Sequence, residues 1–288
     1  IYDYSFGPPE DIGIVATQLL DSPYATEEVD LNGDGKMDFV ALISQEHESV
    51  VGFFNRGDGT FRLQTIFSAG NPSFGTSGLE AADLDQDGDL DLVYTNGDMF
   101  DRFYVAPYHG VHWLEQQADG SWKQHLLASM PGVHRAAVAD LDNDGDLDLV
   151  ACALISGNMM QKYNSAQFNS LIWIEQVADG KFVSHSLEAG QCYHATADVA
   201  DFDNDGLADL FSWSARRLYH NDGKMKFSPV ELPKLPPSVS RGACWGDFNG
   251  DGYGDVVVGS LSGMSSQGFL FLGGENGPQS TANQVFSP

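Results

Sequence analysis

A chain of 288 residues with 42% apolar content can bury a substantial core, as one large domain or two small ones, and is no disordered acidic tail. Its formal charge of −27 argues against nucleic acid and anionic membrane surfaces as partners, and no apolar run approaches the roughly 20 residues that cross a bilayer. Cys152, Cys192 and Cys244 are too few for a disulfide scaffold and read as buried thiols, with one bridge left open.

In chain order, GIVATQLLDSP (13–23) reads as an outermost strand. DLNGDGKMD opens at Asp30, ahead of the β-rich runs DFVALIS (38–44) and SVVGFFN (49–55). DLDQDGDLD opens at Asp83, ahead of DLVYTN (91–96) and GVHWLEQ (110–116). DLDNDGDLD opens at Asp140, ahead of DLVACAL (148–154) and SLIWIEQ (170–176). DFDNDGLAD opens at Asp201, ahead of DLFSWS (209–214) and ARRLYHN (215–221). DFNGDGYGD opens at Asp247, ahead of DVVVGS (255–260) and GFLFLGG (268–274), and ANQVFSP (282–288) is a further outermost strand. Gly/Asp turns lead to another run in each repeat, as in ADGSWKQHLLAS, and small-residue segments such as RAAVAD precede the acidic stretches.

The acidic starts lie 53, 57, 61 and 46 residues apart, which makes four short strands per repeat with a hairpin between the last two. No stretch keeps a helical period. An all-β, single-domain β-propeller follows, with five blades of four antiparallel strands and one Ca2+ loop per blade. The blades are expected at about 24–69, 70–130, 131–189, 190–234 and 235–288; the strand within residues 1–23 closes a blade or pairs with another subunit.

Each nonapeptide places oxygen ligands at positions 1, 3, 5 and 9, with a glycine at position 6 for a tight turn at positive φ. Such an all-oxygen shell suits Ca2+ rather than Zn2+ or a soft metal. The expected ligands are Asp83, Asp85, Asp87 and Asp91; Asp140, Asp142, Asp144 and Asp148; and Asp201, Asp203, Asp205 and Asp209. The outer loops offer Asp30, Asn32, Asp34 and Asp38, and Asp247, Asn249, Asp251 and Asp255; one charge fewer predicts weaker binding. These positions hold 18 of the 41 acids, and about five bound Ca2+ would reduce the net charge to −17.

DLDQDGDLDLV and DLDNDGDLDLV resemble FG-GAP/VCBS-type calcium-binding repeats, and the C-terminal GDFNGDGYGDVVVGS…GFLFLGG is similar to the integrin α-subunit version. The resemblance runs from about residue 24 onward. It implies a propeller with calcium between the first and second strands of each blade, in a family that includes integrin heads, secreted bacterial binding proteins and some polysaccharide lyases.

The loops between second and third strands lie on the opposite face, and two are long: GDMFDRFYVAPYH (97–109) and ISGNMMQKYNSAQFN (155–169). The residues that start the innermost strands, among them His134 and Arg241, are expected on that same face. Tyr108, His109, His134, Arg135, His194 and Arg241 are therefore the ligand-binding candidates. The competing reading makes His134 and His194 hydrogen-bonding links between blades and makes Tyr108 and His109 loop anchors. Trp113 and Trp173 read as inter-blade core, His125 and His185 as solvent-facing, and Arg56-Gly57-Asp58 as a hairpin turn.

Two functions compete. One is a calcium-stabilised binding or assembly module, extracellular, cell-surface or periplasmic, that takes a protein or polysaccharide partner through the face opposite the calcium loops. The other is a polysaccharide lyase or related enzyme using His, Tyr and Arg on that face. Homo-assembly through the terminal strands is a further expectation.

Overall fold

The computed structural model describes residues 23–44, 47–99, 104–212, 217–224, 226–230, 239–262, 265–274, 279 and 281–286, with backbone alone at 23, 24, 165, 239–245 and 258–266. The expected N-terminal strand at 13–23 lies outside it but for Pro23.

β-branched and aromatic residues after each acidic loop form strands that bury both faces, as in Asp38–Ile43 and Asp91–Thr95. The first blade contains β1 (Pro23–Val29), β2 (Asp38–Ile43), β3 (Ser49–Asn55) and β4 (Phe61–Ser68). The second contains β5 (Gly78–Ala82), β6 (Asp91–Thr95), β7 (Gly110–Gln116) and β8 (Trp122–Ser129). The third contains β9 (Val133–Ala139), β10 (Asp148–Ala153), β11 (Asn169–Ala178) and β12 (Lys181–Ala189). The fourth contains β13 (Asp198–Ala200), β14 (Asp209–Ser212), β15 (Arg217–Asn221) and β16 (Phe227–Val230), and the fifth β17 (Val239–Gly246), β18 (Asp255–Ser262), β19 (Ser265–Phe271) and β20 (Gln284–Phe286). Each sheet is antiparallel and runs in sequence order, so every described blade takes all four strands from its own repeat. Among the described residues β1 lies beside β5, β5 beside β9, and β9 beside β13, as innermost strands must.

The core lies between blades. Val40, Leu42 and Val50 of the first meet Leu92, Tyr94 and Leu114 of the second. Val93 and Trp113 of the second meet Leu149, Ala151 and Ile172 of the third. Trp173 and Cys152 of the third meet Leu210 and Tyr219 of the fourth. Phe211 and Leu218 of the fourth meet Val256, Phe269 and Phe271 of the fifth. Trp113 and Trp173 are thus inter-blade core, and Cys152 and Cys192 are buried free thiols; the side chain of Cys244 is outside the description.

Two expectations need correction. The long connection of the third blade contains a helix, α1 (Gly157–Lys162), followed by a 3-10 turn at Ser165–Gln167. Met159 and Met160 anchor it in the core between the second and third blades, which replaces the missing helical period as the reason it forms. His125 and His185 do not simply face solvent. Their rings pack on Trp113 and Trp173 at 4.6 and 5.4 Å between centroids, and their Nε2 atoms lie 2.5 and 2.6 Å from the carboxylates of Glu115 and Glu175.

Candidate metal centres and recognition face

Every acidic nonapeptide joins the first and second strands of its blade, so all five lie at one end of the sheets. Their backbone conformation repeats. Gly35, Gly88, Gly145, Gly206 and Gly252 at position 6 have φ between 82° and 99°, as expected. Position 4 is also left-handed, at Gly33, Gln86, Asn143, Asn204 and Gly250. Asn and Gly tolerate this conformation, so the N/G/Q choice at that position was a signal the spacing of the acids did not use.

Backbone amides then aim the carboxylates. The position 6 N–H donates to the position 1 acid: Gly35 to Asp30 at 2.7 Å, Gly88 to Asp83 at 3.1 Å, and Gly206 to Asp201 at 2.9 Å. The position 9 acid is buried and held from two sides. The Leu84 and Gln116 amides donate to Asp91, and the Leu141 and Gln176 amides to Asp148, at 2.8–3.2 Å. Asp38, Asp209 and Asp255 receive the corresponding amide of Asn55, Asn221 and Gly273 at 2.7 Å.

What these bonds leave over tests whether a cation fits. Asp38 Oδ2, Asp83 Oδ1, Asp140 Oδ1 and Asp203 Oδ1 are buried oxygens without a hydrogen-bond donor. A buried carboxylate oxygen in that state is costly unless a cation meets it. The groups Asp83–Asp85–Asp91 and Asp140–Asp142–Asp148 each bring three carboxylates within 4.8 Å of one another, and Asp201–Asp203–Asp205 does the same in the fourth blade. An all-oxygen donor set with one end buried fits a hard divalent cation. In the outer loops one ligand each is partly occupied: Lys36 Nζ lies 2.8 Å from Asp34, and the Asn249 amide donates to Asp251 at 2.8 Å.

The fourth loop also includes a residue that sequence reasoning missed. His220 Nδ1 lies 3.1 Å from Asp209 and 3.5 Å from Asp203. Burial lowers its basicity, but the hydrogen bond to Asp209 and the charges of Asp209, Asp203 and Asp205 win and raise its pKa. The equivalent third-strand residues are Glu115 and Glu175, so their register one residue before Gln116, Gln176 and Asn221 was the available signal.

Those amide residues tie blades together. Gln116 Nε2 donates to Leu31 O of the first loop at 3.1 Å, Gln176 Nε2 to Leu84 O of the second at 3.1 Å, and Asn221 Nδ2 to Leu141 O of the third at 2.7 Å. Loop-to-loop contacts reinforce them: Gln86 donates to Gly145 O at 2.6 Å and Asn143 to Gly206 O at 2.7 Å.

Three FG-GAP-like repeats match at residues 30–94, 95–151 and 201–258, more than half of the chain, and an FG-GAP repeat matches at 241–277. The chain belongs to the FG-GAP-like repeat family. Cartilage acidic protein 1 of Homo sapiens is 31% identical over 172 residues, which are 55% of this chain and 23% of that protein. Cartilage acidic protein 1 of Mus musculus is 30% identical over 172 residues, 55% of this chain and 24% of its own length. The FG-GAP-like chain therefore spans about a quarter of the curated relatives it matches.

On the opposite end of these FG-GAP-like blades the candidate residues do not gather in one pocket. Tyr108 donates to Ser73 O at 2.9 Å and stacks on Phe74 at 5.4 Å. Buried His109 is held neutral, its pKa lowered to about 4 by burial, and lines a cleft with Glu48, Ser73, Asp98 and Tyr104. His134 donates from Nδ1 to Ala195 O at 2.8 Å, a bond between neighbouring innermost strands' ends. His194 is buried between Ser212 Oγ at 2.6 Å and Glu188 at 2.9 Å, and Glu188 also takes Ser170, Tyr219 and Arg217. That network joins the third blade to the fourth. The side chain of Arg241 is outside the description.

Arg135 lies among acids instead of among the histidines. Glu27, Glu80 and Asp198 occupy the same register of three innermost strands, three residues before their loops. Burial raises the Glu80 pKa to about 7, with Glu27 and Asp198 adding and Arg135 subtracting. Burial likewise raises Asp91 to about 7 and Asp148 to about 6. For an acid raised in the fold, the charge penalty is absent below its unfolded pKa near 4 and complete above its folded value. In EDTA the melting temperature should accordingly fall as pH rises from about 4 to 7. With saturating calcium the sign should reverse, because protons then compete with the cation. Thermal melts across that range in both buffers check both signs.

Proposed function

We propose that the chain is a calcium-stabilised extracellular binding module that recognises a protein or polysaccharide partner through the face opposite its acidic loops. The observation that carries this is the division of labour between the two ends. One end contains five acidic loops, with orphaned buried oxygens in the first four blades. The other presents the two long connections: Met99 of the first and Met159 and Met160 of the second are buried in the core, and Gly157, Asn158, Gln161 and Lys162 of the second are exposed. Loops positioned by a rigid scaffold suit recognition.

Calcium bound there would neutralise the Asp clusters and fix the inter-strand loops. Its millimolar extracellular concentration suits loops of this kind, and the word cartilage in the relatives' name agrees with that location. Among the described residues no helix is long and apolar enough to cross a membrane. On the recognition face, Gln161, Lys162 and Tyr193 are exposed, and the cleft beside His109 is lined by Glu48 and Asp98. Those acidic residues argue against a carboxylate partner group at this point of the face.

Surface plasmon resonance of the calcium-loaded chain over immobilised neutral and uronate-containing polysaccharides and extracellular proteins tests this. Tyr193→Ala combined with Gln161→Ala should weaken binding about tenfold or more while leaving the melting temperature unchanged. Binding that survives those changes would move the site elsewhere. Ultraviolet absorbance from an unsaturated uronate product would replace this reading with the lyase.

A further inference from the structure

The cleft beside His109 lies between the first and second blades, at the end away from the acidic loops. Glu48 reaches it from the connection between β2 and β3, Pro72 from the segment between β4 and β5, and Asp98, Tyr104 and His109 from the long connection after β6. Its enclosed part holds about 10 Å3, room for one group the size of a water molecule. His109 is 4% exposed, and burial keeps its ring neutral above about pH 4. The Gly132 N–H donates to its Nδ1 at 3.5 Å, which leaves the ring proton on Nε2. Among the described residues Nε2 meets no partner, yet it is not sealed in protein, because the ring lines the cleft. Glu48 is 2% exposed and sits at a φ of 46°, an uncommon conformation for its residue type. Its carboxylate accepts the amide and hydroxyl of Thr76, both at 2.7 Å, and the amide of Gly75. A carboxylate takes about four donors, so one lone pair is left over.

The occupant has to accept a hydrogen bond from His109 and donate one to Glu48. An ammonium cannot accept. A carboxylate cannot donate, and it would meet the charges of Glu48 and Asp98. A hydroxyl does both. Around these polar atoms Tyr104 is half-buried and Pro72 exposed, so the mouth of the cleft is partly apolar. A hydroxyl projecting from a ring with a C–H face suits such walls. A serine or threonine hydroxyl would bring backbone amides and carbonyls that they leave unpaired. We propose that this cleft is a subsite for a hydroxyl of a neutral sugar unit, at the end or a branch of a polysaccharide. The proposal rests on the reading of this end of the blades as the recognition face, and it narrows the partner to a glycan without carboxylates.

NMR of the imidazole nitrogens in the calcium-loaded chain, titrated with the methyl glycosides of glucose, galactose and mannose, tests it. At least one glycoside should move the His109 Nε2 signal, while methylammonium, acetate and a serine-containing peptide should not. His109→Phe keeps a ring but removes the donor. Glu48→Gln keeps an acceptor for Thr76 and turns the remaining oxygen into a donor. Each should weaken the glycoside at least about tenfold. Where a variant fails to fold, the signal in the unaltered chain still decides. If no glycoside moves it, the cleft holds an ordered water only and the proposal is overturned; a response to methylammonium, acetate or the peptide instead overturns it too. If the glycosides leave His109 unmoved while a partner still binds through Tyr193 and Gln161, the subsite alone falls. If they move His109 while the Tyr193 and Gln161 changes leave polysaccharide binding intact, the subsite stands and the surface assigned to the third blade falls.

Discussion

In EDTA the melting temperature should fall by about 20 °C or more, and added calcium should restore it. A ligand present at 100 times its Kd adds about 2.7 kcal/mol per site, and five such sites exceed about 10 kcal/mol. In domains of 150–250 residues each kcal/mol moves the midpoint by about 2–4 °C. The cause is local. Without a cation, Asp83, Asp85 and Asp91 keep three carboxylates within 4.8 Å, and an oxygen of Asp83 stays buried with no donor. Burial and the neighbouring Asp87 already raise Asp85, so the loop resists ionising on its own. Differential scanning calorimetry with and without chelator measures the effect, and an unchanged melt would show that the acidic loops are self-sufficient.

Gln176→Leu should cost about 2–3 kcal/mol in urea unfolding. Gln176 is buried, and its amide donates to Leu84 O in the neighbouring loop at 3.1 Å and to Leu147 O in its own at 3.4 Å. Leucine is near in size but donates nothing, so buried carbonyls lose their partner, at about 1–3 kcal/mol each for a stronger bond and less for the longer one. The backbone amide that holds Asp148 is untouched. Because the lost bond supports the second blade's loop, calcium affinity should fall there as well as in the third. Gln124→Leu, on an outermost strand, is the milder comparison: its amide contacts Tyr94 and His112 rather than a loop. Equal costs for the two changes would count against a special role for the bond between blades.

The five sheets and acidic loops were legible because both follow from short-range pattern. Positions 1, 3, 5, 6 and 9 are read directly from nine residues, and the β-rich run that follows from about seven more. The supports of the site were less legible, because they depend on register between distant residues. Gln176 meets Leu84 across 92 residues, and Asn221 meets Leu141 across 80. No local pattern marks such a pair until the blades are stacked. His220 was hidden for the same reason: only the pairing of β14 with β15 brings it to Asp209. Counting cationic and aromatic residues near the long loops found His134 and His194 but not what they bond to. Ala195 O, Ser212 and Glu188 satisfy them internally. α1 was missed because two buried methionines, rather than an amphipathic stripe, stabilise it.

The self-contained pairing of strands within each blade bears on how the chain acquires its shape. Each described sheet closes its hydrogen-bond ladder between neighbours in sequence, with no crossover. Sequence-local pairings form with little loop-closure entropy and favour rapid folding. A ribosome releasing this polypeptide would therefore free whole ladders one after another. Each new sheet would find the apolar side of its predecessor waiting as a template, so assembly can advance like a zipper from the amino end.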